Sequence, residues 1–507
     1  MRSVAPRSVR VGEPAERSEG TVSLIVLGKV WPGAYIDSIR LMQVADALRG
    51  LPGVSAVELL MATEANQRAL AGSGLWPPDC RAAGATDLVL AVRAAGEAPA
   101  RAALEAADRL LAERRRPDEA LADEPCRSIR SAIQREPGAG LTVVSVPGPY
   151  AANEAHQALA AGRHVFIFSD GVTLEEEVRL KRRAAGAGLL VMGPECGTAI
   201  VDGVGIGFAN RVRPGPIGLV GASGTGLQEV TCLLHRLGGG VSQAIGTGGR
   251  DLNAMVGGLT TLEALRRLAL DPDTQVLALV SKPASRGVAE RVLAAARATG
   301  KAVVACLLGW HGAAPAGVRS VETLEAAALA CLEALGKPAP KLERPAIPSR
   351  PRRRSGGVRG FYTGGSLCEE ARGLLGPGPH RCVDFGEAEY TRGRPHPIID
   401  PGLRSEAVAA AGDDPEAAVI LVDVVLGECA HPDPAGAVAD AVREARQRAA
   451  RAGRTLDLVA HVVGTDRDPQ GLAAQERTLA ELDAVVCASN RIAAEVAREL
   501  AEGVGGR

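Results

Sequence analysis

"IGLVGASGTGLQEV", residues 217–230, decides how this chain is read. Apolar residues broken by one glycine run into Gly-Ala-Ser-Gly-Thr-Gly. Leu227, Val230, Leu234 and Leu237 then recur at helical spacing. The order is strand, glycine-rich turn, helix. Glycines after a strand let backbone N–H groups come close to an anion, and the following helix adds free N–H groups and a positive dipole end. Ser223 and Thr225 add hydroxyl donors, so Ser223, Gly224 and Thr225 can hold phosphate without a lysine. The same residues also suit a plain helix start, since Thr225 with Gln228 three positions on has capping-box form. Gly224 and Gly226 favour the anion site, because a cap alone does not call for their entropic cost. Glu229, one turn beyond Thr225 on the same face, is placed either to orient a protonated partner as a catalytic carboxylate or to lie at the surface. His235 falls off the apolar stripe and is read as incidental.

Outward from this turn the alternation repeats. Residues 137–213 hold the strands "LTVVSVPG", "HVFIFSD" and "LLVMGPEC" with helices between them. Residues 214–337 hold "IGLVGAS", "VSQAIGTGG", "QVLALVSKP" and "KAVVACLLG". Short apolar strands alternating with amphipathic helices predict parallel sheets, whose ligands bind outside the carboxyl ends of the strands. Residues 338–357 are proline-rich and basic and read as a linker. Residues 358–507 give five more strands, and their first turn, Thr363-Gly364-Gly365-Ser366, again sets glycine and hydroxyl between strand and helix. That likeness suggests two related domains. Residues 21–136 read as a small α/β domain, its last part, 101–136, as helix. Residues 1–20 read as a flexible tail. The expected fold class is α/β with several doubly wound parallel-sheet domains.

Other glycine turns offer further candidates. Gly193-Pro194-Glu195-Cys196-Gly197 sits at the carboxyl end of "LLVM" and lines the expected pocket. Cys196 has no nearby histidine in sequence to activate it as a nucleophile. In Gly246-Thr247-Gly248-Gly249-Arg250-Asp251, Gly248 and Gly249 extend the anion surface and Arg250 can clamp an anion bidentately. Gly364, Gly365 and Ser366 are a second phosphate turn. The loop "GRPHPIIDP", 393–401, presents Arg394 for substrate binding, His396 as a catalytic group, and Asp400; "HPDP", 431–434, is a weaker candidate.

The balance of the chain limits its partners. A net charge of −1 over 507 residues argues against nucleic acid. No apolar run reaches membrane-span length, so a cytoplasmic protein is expected. Aromatics are 2% of the chain, so its cores are built from Ala, Val and Leu. No two of the ten cysteines form a Cys-x-x-Cys pair, which leaves neither a zinc site nor a disulfide framework. A Walker loop, a Gly-x-Gly-x-x-Gly helix start and a Gly-x-Ser-x-Gly elbow are all missing from the sequence.

"VSVPGPYAANEAHQALAAGRHVFIFSDGVTLEEE", "GLLVMGPECGT", "GASGTGLQE", "GTGGRDL", "VSKP", "YTGGSL" and "GRPHPIIDP" together resemble the FdrA family, from residue 21 to about 490. The earlier motifs are similar to the α-subunit of succinyl-CoA synthetase. The resemblance implies a Rossmann-like, CoA-binding-type portion followed by flavodoxin-like ligase domains. It implies that Ser223, Gly224 and Thr225 hold phosphate and that Glu229 matches a carboxylate near the synthetase's phosphorylated histidine. Gly193 to Gly197 line the same pocket, and Asp170 and Gly171 match its Glu-Gly turn. This chain departs where the synthetase carries its phosphohistidine loop: it reads Gly309-Trp310-His311-Gly312-Ala313-Ala314-Pro315, and His311 falls too early to serve. The family link implies a subunit of an oxamate carbamoyltransferase in purine (allantoin) breakdown, interconverting carbamoyl phosphate plus oxamate with oxalurate plus phosphate. The alternatives are an acyl-CoA synthetase or transferase, with CoA as its cofactor, and a non-catalytic scaffold. Partner subunits, an oligomeric assembly, a small anionic substrate and phosphate are the expected partners.

Overall fold

The computed structural model describes residues 24–112 apart from 35 and 37, 126–347 apart from 339, and 356–503. The expected tail at 1–20 and the arginine run of the linker lie outside the described residues. The chain divides into two units, Met1–Glu124 and Pro125–Arg507.

The first unit contains β1 (Ile25–Trp31), α1 (Ser38–Arg49), β2 (Val54–Met61), α2 (Glu64–Gly72), β3 (Leu88–Ala94) and α3 (Glu97–Ala112). Its sheet runs β1-β3-β2 and both pairings are antiparallel, so this small α/β unit lacks the parallel pairing of the later sheets. β3 is buried along its length and holds the centre. Leu41, Val44 and Leu48 of α1 and Ala100, Ala103 and Ala107 of α3 pack with it in one core. α3 runs to Ala112 and α4 covers Ile129–Arg135; the part of the expected 101–136 helix between 113 and 125 lies outside the described residues.

The second unit opens with α4 (Ile129–Arg135), β4 (Leu141–Val144), α5 (Gly148–Ala160), β5 (His164–Ile167), α6 (Leu174–Gly186) and β6 (Val191–Met192). β4, β5 and β6 form a small parallel sheet in sequence order. A two-strand ribbon, β7 (Thr198–Val201) and β8 (Val204–Gly207), then leads into β9 (Pro214–Ala222), α7 (Gly224–Arg236), β10 (Val241–Gly246), α8 (Leu259–Leu270), β11 (Val276–Ser281), α9 (Arg286–Ala298), β12 (Ala302–Leu307), β13 (Val318–Ser320) and α10 (Leu324–Ala334). The strands order β13-β12-β11-β9-β10-β7-β8. Strands 9 to 13 are parallel, and β11 is buried throughout, as a strand covered on both faces must be.

The same winding follows in β14 (Gly357–Tyr362), α11 (Gly365–Leu375), β15 (Arg381–Asp384), α12 (Ala388–Thr391), α13 (Gly402–Ala410), β16 (Ala417–Val425), α14 (Pro434–Arg451), β17 (Asp457–Val463), α15 (Leu472–Ala480), β18 (Val485–Cys487) and α16 (Asn490–Glu502). Their order is β15-β14-β16-β17-β18, all parallel. In both sheets the first strand lies between the second and third, the flavodoxin-like arrangement, so the chain reverses direction beside the first strand. At such a reversal, the carboxyl ends of the strands are where ligands of open α/β sheets bind. The two sheets share one core. Leu227, Val230 and Leu234 of α7 pack in the same cluster as Leu367, Cys368 and Ala371 of α11 and Ala493, Val496 and Ala497 of α16. α7 is buried all round, from Thr225 to His235.

Candidate functional site

α7 begins at the crevice of the first flavodoxin-like sheet. Ser223 is its N-cap, and its Oγ accepts from the Gly226 amide at 2.9 Å. The cap is therefore Ser223, not the expected Thr225–Gln228 box. Gln228 turns inward and donates to the carbonyl of Phe208 and to Asn210 Oδ1. The cap also explains Gly226, where a Cβ would stand 2.2 Å from Ser223 Oγ. At Gly224 a Cβ would meet nothing closer than 3.6 Å, so that side of the turn has room.

α11 begins at the equivalent crevice of the second sheet, but its turn is already filled. The carboxylate of Asp423 accepts from the amides of Thr363 and Gly364 and from the Thr363 hydroxyl, at 2.8 to 3.0 Å. Arg404 Nη1 donates to it at 2.9 Å, and both side chains are buried. Burial pushes the Asp423 carboxyl up, while Arg404 and the Thr363 donors pull it back. The first amides of this turn thus serve an internal carboxylate, which corrects the reading of Gly364 as an open phosphate donor.

The two turns meet. Ser223 Oγ and Ser366 Oγ are 2.5 Å apart, and a Cβ on Gly364 would stand 2.7 Å from Thr225 Oγ1. A ring of contacts continues from there. Gly365 lies under the ammonium of Lys282, which follows β11, and Lys282 Nζ is 3.7 Å from Asp384 Oδ2. Gly386, beside Asp384, lies against His396 Nε2. The His396 ring is 5.3 Å from that of Phe208, Phe208 packs on Gly197, and Gly197 lies across from Gly224. Five of these positions are glycine, so backbone rather than side chain forms much of the rim.

The charges on the rim have distinct settings. His396 keeps some solvent contact, yet loss of hydration, reinforced by Lys282, lowers its imidazole to about 4, so the ring is neutral at ordinary pH. Its Nδ1 accepts from the Ile398 amide, which leaves the proton on Nε2, facing the ring of contacts. Asp384 is raised by burial, with Lys282 opposing. Glu195 is exposed and has a left-handed backbone, φ 56°. Desolvation raises its carboxyl against the pull of Arg250 and Lys282. A non-glycine residue held there is strained, a condition that clusters at functional sites.

Several expected site residues have other work. Arg250 gives Nε to Glu177 and Nη2 to the Val172 carbonyl, in a buried network with Lys181 and Asp251, so its guanidinium is engaged in structure instead of clamping substrate. Gly248, at φ 84°, packs where a Cβ would stand 2.6 Å from the Pro194 carbonyl and 2.9 Å from Gly193. Its glycine is explained by contact between the two loops. Gly249 has open space around it. Cys196 is buried with its thiol pushed up to about 12 by burial, which removes it as a nucleophile. Arg394 is exposed two residues before His396. Asp400 accepts from the Gly402 amide, His431 from the Asp433 amide, and Asp433 caps α14. His311 is exposed in the loop after β12.

Glu229 is not a surface residue. Its Oε2 lies 2.7 Å from His461 Nε2, its Oε1 accepts from the Asn490 amide, and all three residues are buried. Asn490 also donates to Glu370 Oε2, whose other oxygen accepts from the Leu324 amide. Burial raises the Glu370 carboxyl to about 7. Burial works to lower His461, but the charge and hydrogen bond of Glu229 and the Cys487 carbonyl overcome it and raise the ring. This polar layer joins the two flavodoxin-like sheets. His235 is likewise buried, accepting from the Arg213 amide and paired with Asp466.

Residues 26–125 match a family model described as AllF, heavy metal-associated domain; 212–309 match one described as CoA binding domain, and 361–500 one described as CoA-ligase. The Escherichia coli K12 protein YahF is 37% identical over 502 residues, covering 92% of this chain and 97% of that protein. The chain belongs to the FdrA family. A succinate–CoA ligase α-subunit of Archaeoglobus fulgidus is 32% identical over 163 residues, 31% of this chain and 55% of that one. The chain thus spans about half the length of that ligase subunit. Among solved structures, an acetyl-coenzyme A synthetase of Ca. Korarchaeum cryptofilum, in complex with phosphate and ADP, matches 72% of this chain and 82% of its own at 15% identity and a TM-score of 0.32.

Neither group implied by these descriptions fits everywhere. Residues 26–125 contain one cysteine, Cys80, and no histidine. Cys80 is buried and its thiol is pushed up to about 11, first by burial and then by Asp79, so this member's N-terminal unit does not fit a metal. The β4–α5 turn, in the 137–213 portion expected to be CoA-binding-like and outside the residues matched to the CoA binding domain, does not fit the diphosphate of CoA. Pro147 and Pro149 remove two of its amide donors, and Gly148 is pressed against the backbone of Asp170 and Gly171. The start of α7 does fit a phosphoryl group. Among the described residues no helix is long and apolar enough to cross a membrane.

Proposed function

We propose that this member of the succinyl-CoA-synthetase-like superfamily is a subunit of an acid–thiol ligase-type enzyme and holds an acyl phosphate where α7 and α11 begin. The facing turns carry this reading. Two helix starts converge on Ser223, Thr225 and Ser366 in a buried place; Asp423 already offsets the start of α11, the start of α7 has no such carboxylate among the described residues, and a dianionic phosphate there would supply the missing negative charge. The Ser223 and Thr225 hydroxyls and the first amides of α7 hold the phosphate oxygens. An acceptor attacks the carbonyl carbon, the bond from that carbon to the phosphate oxygen breaks, and the acceptor's proton leaves on the phosphate. Donors already fixed in place stabilise the departing charge without reorganisation.

Relatives of stated activity include CoA ligase α-subunits, so the ligase class is preferred to carbamoyl transfer. Both use an acyl phosphate, and one experiment separates them. The full chain with its partner subunits is assayed in parallel for nucleotide- and CoA-dependent thioester formation and for oxalurate formation from carbamoyl phosphate and oxamate. The ligase reading expects the first and loses it if only oxalurate appears. Ser223→Ala with Thr225→Ala should cost about 100-fold in the active assay; unchanged turnover would point to a scaffold and sink the acyl-phosphate reading.

A further inference from the structure

Lys282 carries no role in that reading, yet it stands at the crevice. It follows β11, beside the turn that follows β9, and its ammonium lies over Gly365 at the start of α11. Its one ion pair among the described residues, with Asp384 at 3.7 Å, is too long for a hydrogen bond, and its side chain is 40% exposed against 4% for Asp384. The lysine is free to turn; the aspartate is fixed. On the far side of the same ring, Thr198 is buried to 1% exposure, and its Oγ1 has no hydrogen-bond partner among the described residues. That oxygen is 3.8 Å from where a Cβ on Gly224 would stand, on the side of the turn that has room. A buried hydroxyl without a partner is unfavourable, and an anion's oxygen would supply one.

We propose that Lys282 and Thr198 complete the phosphate subsite at the start of α7, and that Asp384 is a resident counter-ion from which Lys282 turns when the phosphoryl group enters. The proposal rests on the reading of the Ser223 turn given above. Lys282 then binds the anion directly. Asp384 competes with it, holding the ammonium in place while the site is empty. The two acidic and basic partners of one ion pair therefore act in opposite directions on binding.

Calorimetric titration of the full chain with inorganic phosphate tests this. Lys282→Met should weaken phosphate about tenfold or more, and Lys282→Arg should recover most of the loss. Asp384→Asn should tighten phosphate about threefold, since the competing carboxylate is gone. Thr198→Val should weaken it by about the same factor. A merely structural ion pair would lower the melting temperature in both variants and leave phosphate affinity alone. If Lys282→Met binds as the wild type does while Ser223→Ala with Thr225→Ala does not bind, the Lys282 assignment falls and the turn reading stands. If the wild-type chain binds no phosphate, both fall.

Discussion

After β9 the chain turns through Ser223 into α7; after β14 it turns through Gly364 into α11. The registers align these turns. Gly221 pairs with Val280, and Tyr362, one step past the Phe361–Val422 pair, stands beside Asp423. Each N-cap comes two residues later, so Val280 and Asp423 occupy equivalent places beneath equivalent turns. Under α7 the neighbour is apolar, and among the described residues no carboxylate stands at the start of the helix, whose Gly226 amide is capped by Ser223. Under α11 the neighbour is a carboxylate held by Arg404, and the turn satisfies itself. One side-chain position thus separates the turn proposed to bind from the turn that braces.

Breaking the bracing turn should have the largest effect. Asp423→Ala leaves Arg404 buried without its partner and should destabilise the chain by about 3–5 kcal/mol in urea unfolding; a stable variant would show that Asp423 is not the anion of α11. Next comes Gly364→Ala, whose Cβ would stand 2.7–2.8 Å from Thr225 side-chain atoms. It should cost about 1–3 kcal/mol by pushing the two turns apart.

The layer between the turns should respond to pH. Glu370, raised to about 7, takes up a proton in the folded chain that the unfolded chain releases near its ordinary value, so its contribution declines as pH rises toward and through 7. His461 is also raised: its stabilisation is full below about 6.5 and is lost as pH climbs through its folded value. Both act in one direction, and stability should drop by about 1–2 kcal/mol from pH 6 to pH 8. A scan of melting temperature against pH checks this, and Glu370→Gln should flatten part of the slope. The smallest effect belongs to Gly224→Ala, whose Cβ meets only ordinary contacts. It should change stability by less than about 1 kcal/mol, and in the favourable direction. An equal cost at 224 and 364 would erase the contrast between the two turns.

The parallel strands were legible because each is a short apolar run ended by glycine, proline or a polar turn, and both sheets are covered on two faces. The likeness of "GASGTG" and "YTGGSL" suggests related domains, and both sheets place their first strand between the second and third. The first sheet's antiparallel pairing left no such signal, since β1, β2 and β3 alternate with helices much as parallel strands do. Lys282 escaped notice because a single lysine after a strand has no spacing to mark it; only the crevice beside Ser223 gives it meaning. Arg250 attracted attention as an open clamp, but its partner Glu177 is 73 residues away in sequence. Glu229 looked equally suited to the surface, because the histidine that claims it lies 232 residues on. Residue type and local spacing show what a side chain can do, and only tertiary contact shows whether it is already occupied.

That distant pairing has a consequence for how the gene can be divided. The two flavodoxin-like halves share a core, so a chain cut between Ile347 and Gly356 should hold together as a two-piece protein. Exchange of one piece for its counterpart from a relative would then be selective. A C-terminal piece with an apolar residue at position 461 would leave Glu229 without its histidine inside the joint, and one without a carboxylate at 370 would leave the buried Leu324 amide without its acceptor. The buried layer is in this sense a recognition code between halves, written where no ligand reaches.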